Sequence, residues 1–436
     1  MGPLQITMPR YTLVGSELSL FTGKIKTYLQ WKAVPHDVLV PSDEVFKNII
    51  IPGAGIAMIP VLLIHDDQAS LANAKVLQDT KEIMDYFESM YAPGSSSDLL
   101  PSPMQHPVVP STPKRAFAAQ LFELLADEWL LTQAMYWRWY APHLAKQRKF
   151  LAMEFGNSST GGLAPLETQQ AIGEKRMARF AGFTPGLGVS ETTSPALEWQ
   201  FHEVLKLMES HFDQYPFLLG DEISLADFAF WGSFGPHLGR DPVPSFIIKT
   251  EAPGVWEWIE RVNSGHRWAG QHVRHGSGAQ KSYGTRKMHA KGLEIDEVPE
   301  SACRIMQFLM TDYAPILKAT VDRTIQYIDK KSGDRVALPR ALGEDDFTVR
   351  GPQGIGKGSR RVQTHAIWEF DRIILRSLVN EQARMSLLDW LGSTCGEDCA
   401  KTLGSALEAW LKSGRHIERE KATLLAVTKK ARKERL

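Results

Sequence analysis

The sequence predicts an α/β domain followed by an all-helical domain, with a third, mostly helical region behind them. Three observations carry this. Residues 10–90 switch repeatedly between short apolar runs and helical spacing; residues after about 114 return to helical periodicity with dense aromatics; and periodic apolar faces recur beyond residue 290. The domain limits are placed at 1–91, 114–275 and 290–436.

The first region reads in order. Tyr11–Val14 is a strand, Phe21–Trp31 a helix and His36–Val40 a short strand. The charge-free run Ile49 to Ile64 is too short for a membrane span of about 20 residues, and Pro52, Gly53, Gly55 and Pro60 break it. It reads as a loop entering a buried strand at Pro60–Ile64. His65–Gln68 is a polar turn, and Ala69–Val76 the other arm of a hairpin. Thr80–Met90 has Ile83, Met84, Phe87 and Met90 at helical spacing. The order is βαβ, a long connection, then ββα.

Residues 92–113, rich in Pro and Ser, read as a linker. Residues 114–150 read as one long helix carrying Trp129, Tyr136, Trp137, Trp139 and Tyr140. The Gly/Ser/Thr-rich stretch 151–195 reads as an insertion or lid. Helical spacing returns from Trp199 to Phe212. Ile223–Phe228 then combines a capping box, Ser224 with Asp227, and a staple of Ile223 on Phe228. In the third region Leu317, Val321, Ile325 and Ile328 mark a helix, Asp346–Arg350 a short strand, and Ile367–Ile374 and Leu403–Leu411 further helices. The face at 317–328 needs a partner, so the region is expected to pack on the helical domain.

Composition narrows the function. Lys+Arg and Asp+Glu are both 50, so nothing global points to nucleic acid or an anionic membrane. The basic tail Lys429, Lys430, Arg432, Lys433 and Arg435 reads as a solvated helix end. Three cysteines, Cys303, Cys395 and Cys399, argue for a reducing, cytoplasmic setting. Their spacing gives no metal site. The start lacks a basic segment followed by an apolar one, so no signal peptide is expected. Gly351–Gly358 nearly fits a phosphate-binding loop, but Gly358 stands where Ser or Thr must follow Lys357, and a hairpin turn explains the glycines.

Candidate site residues cluster before residue 81. Ser19 opens a helix after a strand, where a hydroxyl and the helix dipole favour an anion; it can equally be a cap. Pro60 opens a strand, and a cis Ile59–Pro60 bond would leave the Ile59 backbone free for an extended peptide. Asp79 and Thr80 open the next helix, either as caps or as partners of an ammonium and a carboxylate.

Together these motifs resemble the serine-type glutathione transferases. Ser19-Leu20-Phe21-x-x-Lys24 is similar to their Ser-Pro-Phe-x-x-Lys/Arg start, Ile59-Pro60 to their cis-proline pair, and Asp79-Thr80 to their Glu/Gln-Ser pair. Ser224–Asp227, after Phe217–Asp221, resembles the capping box of their helical domain. The resemblance implies a thioredoxin-like N-terminal domain, an all-α transferase domain and a homodimer. It implies glutathione as co-substrate, Ser19 holding its thiolate, the Ile59 backbone its cysteinyl unit, and Asp79 and Thr80 its γ-glutamyl end. Tyr136 and Tyr140 would line a pocket for a hydrophobic electrophile. Leu20 departs from the usual Pro, and 41–58 from the usual helix. The extension beyond about 275 exceeds an ordinary transferase, and leaves a second reading: a binding or scaffold protein that kept the fold. A disulfide reductase is disfavoured, because no cysteine precedes residue 303.

Overall fold

The computed structural model describes residues 10–66, 71–90, 106–264, 272–274, 280–282 and 293–428. The basic tail at 429–435 and most of the linker, 92–105, lie outside them, as do Asp67 and Gln68 of the polar turn.

The N-terminal domain is a four-stranded sheet of order β2-β1-β3-β4, with β1 at Arg10–Val14, β2 at Asp37–Leu39, β3 at Val61–His65 and β4 at Lys75–Gln78. β1 and β2 run parallel; β3 is antiparallel to both β1 and β4. Helix α1, Leu20–Trp31, joins β1 to β2, and the helix Thr80–Met90 follows β4. This is the thioredoxin-like arrangement the sequence predicts. The second hairpin arm starts later than expected: Leu71–Asn73 is a 3₁₀ turn and only Lys75–Gln78 pairs. The connection 41–58 does contain helix: Asp43–Val45, a π turn Phe46–Ile50 and Ile51–Ala54 follow one another. Ile50 and Ala54 pack there under Val61 and Leu63.

The helical domain differs from the sequence reading in two places. The expected single helix 114–150 is Pro113–Leu125, a π turn Ala126–Leu130, Leu131–Trp139, and then Ala141–Thr160 after a break at Tyr140, whose backbone is extended. Pro142 in the first turn of the next helix explains the break: in a continuous helix its ring would clash with the Arg138 carbonyl and it has no amide to bond it, whereas a first turn needs no such bond. The expected lid at 151–195 is mostly helix: Leu166–Ala181 packs tightly on Ala141–Thr160. Composition misleads here because the glycines serve contact. A Cβ on Gly156 would lie 1.9 Å from the Gln169 carbonyl oxygen, and one on Gly173 1.8 Å from that of Ala152. Helices Ser194–Phe212, Leu225–Ser233, Pro242–Glu251 and Pro253–Asn263 complete the domain, and a short antiparallel pair, β5 His272–Arg274 with β6 Gln280–Ser282, follows in the chain.

In the extension a 32-residue helix, Glu300–Lys331, packs on Ser194–Phe212 and Pro113–Leu125, so the expected contact with the helical domain is made. The short strand expected at Asp346–Arg350 is one arm of a long hairpin, β8 Ala341–Gly351 with β9 Gly354–Gln363. The glycine-rich segment is therefore a turn followed by ladder, and Gly356 and Gly358 lie against Thr192 and Thr193. Helices His365–Ser377, Glu381–Cys395 and Glu397–Lys412 follow, and a sheet of order β10-β11-β7 closes the region, formed by Arg415–Glu420, Thr423–Thr428 and Arg335–Leu338. Among the described residues no helix is long and apolar enough to cross a membrane.

His211 joins the two parts. It is fully buried, its Nε2 at 2.9 Å from the Phe217 carbonyl and its Nδ1 at 2.8 Å from Ser301 Oγ. Burial pushes its pKa down to about 4, against the Phe217 hydrogen bond. A base whose pKa falls on folding stabilises the fold above its unfolded value near 6.5, and that stability is lost as pH falls from about 6.5 to about 4. The denaturant midpoint of wild type is expected to drop across that window by an amount equivalent to about 2–3 kcal/mol more than that of His211→Gln.

Candidate active site and the contacts that cover it

Strand register gathers the predicted site. Val14, Val61 and Gln78 lie in one row across the sheet, Val14 opposite Val61 and Val61 opposite Gln78. The chain leaving β1 toward Ser19, the Ile59–Pro60 pair entering β3 and Asp79–Thr80 leaving β4 thus share one end of the sheet.

Ser19 is the N-cap of α1, with extended backbone (φ −94°, ψ 123°), and its Oγ accepts from the Thr22 amide at 3.2 Å. It is half-buried. That bond uses a lone pair and leaves the hydroxyl proton to donate. Of its two neighbours, Ser16 pairs its Oγ with Ser158 Oγ at 3.1 Å, and Thr22 is buried. The preceding loop is fixed from the helical domain: Arg138, 1% exposed, donates to the Leu18 and Pro236 carbonyls and bidentately to Asp241.

The Ile59–Pro60 bond is cis. Among the described residues the Ile59 backbone forms no hydrogen bond. Beside it, exposed Arg340 of the extension donates to the Met58 thioether.

Asp79 has φ 88°, a left-handed backbone that is uncommon outside glycine and worth a functional question. Its Oδ1 accepts from the Lys81 amide at 3.0 Å. Its Oδ2 faces His365 Nε2 at 3.0 Å. Thr80 is buried. Burial opposes the charge on Asp79, but His365, Lys81 and Arg419 together hold its pKa well below the carboxylate range. Burial likewise opposes the charge on His365, and the carboxylates of Asp79, Glu128 and Glu369 around it overcome it and push that pKa well up.

Sequence reasoning missed His365, Glu369, Lys81 and their partners. Lys81 is 3% exposed and reaches Asp127 at 2.5 Å and Glu369 at 2.9 Å; Lys24, fully buried, reaches Glu123 and Asp127 at 2.7 Å each. One lysine thereby joins all three regions. Around the rim Arg372 and Arg376 meet Asp85, Arg419 meets Glu82 and the Gln78 carbonyl, and Lys421 meets the Pro52 carbonyl. The extension, expected to lean on the helical domain, also covers this end of the first sheet. A local signal did exist: His365 and Glu369 stand four apart at the start of a helix, on one face.

The two tyrosines expected to line an electrophile pocket differ in burial. Tyr136 is in the core, its hydroxyl 3.0 Å from Ser194 Oγ and burial pushing its pKa well up, away from any use near neutrality. Tyr140 is half-buried and stacks on it at 5.1 Å. A recess of about 540 Å³ lies elsewhere, lined by Lys114, Asp296 and Trp390.

Residues 196–261 match the family model "Glutathione S-transferase, C-terminal domain". No curated protein matches the chain. Among solved structures, a glutathione S-transferase from Pseudomonas fluorescens Pf-5 is 16% identical, with 59% of this chain and 96% of that one covered and a TM-score of 0.31. One from Methylobacterium radiotolerans in complex with glutathione sulfonate is 16% identical over 58% and 91%, TM-score 0.32. One from Methylobacillus flagellatus with glutathione bound is 16% identical over 58% and 93%, TM-score 0.32. Likeness at this level transfers no residue role.

Proposed function

For a chain that carries the glutathione S-transferase fold with a helical extension behind it, we propose glutathione-dependent chemistry at the end of the first sheet: conjugation, or a related lyase or isomerase step, on a hydrophobic electrophile. The observation that carries this is that the chain leaving β1 toward Ser19, the Ile59–Pro60 pair and Asp79–Thr80 all lie at one end of the sheet, beyond the row formed by Val14, Val61 and Gln78. Ser19 caps α1 with its proton unspent, so it donates to a thiolate, and the helix N-terminus adds partial positive charge. The unpaired Ile59 backbone takes the cysteinyl unit. Thr80 and the amides opening its helix take the γ-glutamyl carboxylate. In this reading Arg340, which meets the Met58 thioether beside Ile59, takes the glycyl carboxylate.

A charge-assisted hydrogen bond is worth about 1.5–3 kcal/mol. Ser19→Ala is therefore expected to raise the pKa of bound glutathione and to slow conjugation by about one to two orders of magnitude. Affinity changes less. Ultraviolet thiolate absorbance against pH checks this, and identical curves for wild type and variant would remove Ser19 from the mechanism.

One observation favours a second reading, a binding protein whose site is closed by its own extension. His365 already occupies the Asp79 carboxylate that a γ-glutamyl ammonium would need. On this reading wild type is not retained on immobilised glutathione, and His365→Ala is. Retention of wild type, with turnover, supports the enzyme.

A further inference from the structure

Where the three regions meet, Glu128, His365 and Glu369 converge, and the carboxylate and imidazole atoms they offer lie within 4.8 Å of one another. His365 Nδ1 is 3.0 Å from Glu369 Oε1 and 3.6 Å from Glu128 Oε1. Ligands on a tetrahedral ion with bonds of about 2.0–2.1 Å stand roughly 3.3 Å apart. We propose that Glu128, His365 and Glu369 form a binding site for a divalent metal ion of the zinc class, with Asp79 orienting the imidazole from its far nitrogen.

Four observations support the assignment. First, Asp79 Oδ2 accepts from His365 Nε2, which leaves Nδ1 as the ligand atom; a carboxylate behind a histidine is the usual way to fix its tautomer at a metal. Second, polar groups aimed into the cluster lack partners. Glu369 is 2% exposed, and although its Oε1 is shared by His365 and Lys81, its Oε2 is buried with no hydrogen bond. Tyr313, 1% exposed, has a buried hydroxyl with no partner, close enough to Glu128 and Glu369 for their charges to add to the burial that raises its pKa. Among the described residues the Glu128 carboxylate has no donor nearer than His365, at 3.6 Å, although the residue is 6% exposed. A buried carboxylate without a close donor is costly.

Third, charge is left over. Asp79, Glu123, Asp127, Glu128 and Glu369 are five carboxylates in the cluster; Lys24, Lys81 and Arg360 are its three permanent cations. At the rim Arg372 and Arg376 share Asp85 and Arg419 meets Glu82, three cations against two carboxylates. With a neutral imidazole, as a ligand must be, the cluster and its rim together keep an excess of one negative charge, which favours a bound cation. Fourth, there is a route in, because the His365 side chain is 36% exposed while its carboxylate partners are buried. Imidazole with carboxylates suits zinc and its neighbours. The competing explanation is an ion-pair network in which His365 carries a second proton and no metal binds.

The test uses the full chain stripped with a chelator and reloaded with Zn²⁺ alone. One equivalent of zinc is expected to stay with each chain through gel filtration. Glu128→Gln and Glu369→Gln should each weaken binding about tenfold or more with unchanged far-ultraviolet circular dichroism. Loading with Co²⁺ should give d–d bands without a thiolate charge-transfer band, which separates this site from Cys303, Cys395 and Cys399. Three results would overturn the site: no zinc retained by folded wild type, zinc held equally by both variants, or a thiolate band with cobalt. If the network explanation holds, the variants change thermal stability and nothing binds.

Discussion

Lys81→Met is expected to lower stability by about 3–5 kcal/mol, since it strips the shared cation from a buried cluster and leaves its carboxylates facing one another. Lys81 Nζ lies within 4 Å of Asp127, Glu123 and Glu369, and all of them are almost wholly shielded. Those charges push the lysine pKa well up against burial, so the cation is firmly held at neutral pH. Burial pushes the Glu369 pKa up as well, opposed by Lys81 and His365; without Lys81 it takes up a proton more readily. Methionine keeps most of the volume, so the effect is charge and not cavity. Because Lys81 belongs to the first domain, Asp127 to the second and Glu369 to the extension, loss of the lysine should also uncouple the parts. A single melting transition in wild type and two in the variant, with earlier proteolytic cleavage between residues 331 and 365, is the expected record.

Asp227→Ala should be comparably damaging, by about 3–5 kcal/mol, for a different reason. Asp227 is fully buried at the start of Leu225–Ser233. One oxygen accepts from the Leu218 amide at 2.9 Å and from Trp258 Nε1 at 3.0 Å; the other accepts from the Ser224 amide at 3.0 Å and its hydroxyl at 3.1 Å. Alanine orphans these donors in a dry core and removes the capping box. Asp227→Asn, which keeps the shape but turns a donor toward donors, should recover only part of the loss. Urea unfolding of the two variants checks both the size and the order.

These two residues also show what a sequence discloses. Asp227 was legible because its role is local: a serine three residues before an acid, flanked by apolar residues, names a helix start wherever it occurs. The same holds for the helix at Thr80, whose first residue and apolar spacing are visible directly. Lys81 was not legible, because its charge is matched by residues 42, 46 and 288 positions away, and no spacing rule reaches across such intervals. Leu166–Ala181 was misread because Gly156 and Gly173, which suggest a loop by composition, are there to let two helix backbones touch. Ser19, Ile59–Pro60 and Asp79 were legible as a set. Their occupancy was not, since His365 is supplied by a different region.

That supply has a consequence for how the protein is made. Asp79 and its partner His365 are 286 residues apart, and Gln78 and Arg419 341. A ribosome adding about 5–20 residues per second needs on the order of tens of seconds to cross either interval. Throughout that time the first domain can fold while its acidic site residue stands open, and a nascent chain at this stage is a different molecule, electrostatically, from the finished one. The hairpin of β10 with β11, which emerges later still, brings Arg419 onto the Gln78 carbonyl and Lys421 onto that of Pro52, so the first domain is completed by a segment made long after it. Chains stopped before residue 365 would retain the open form permanently.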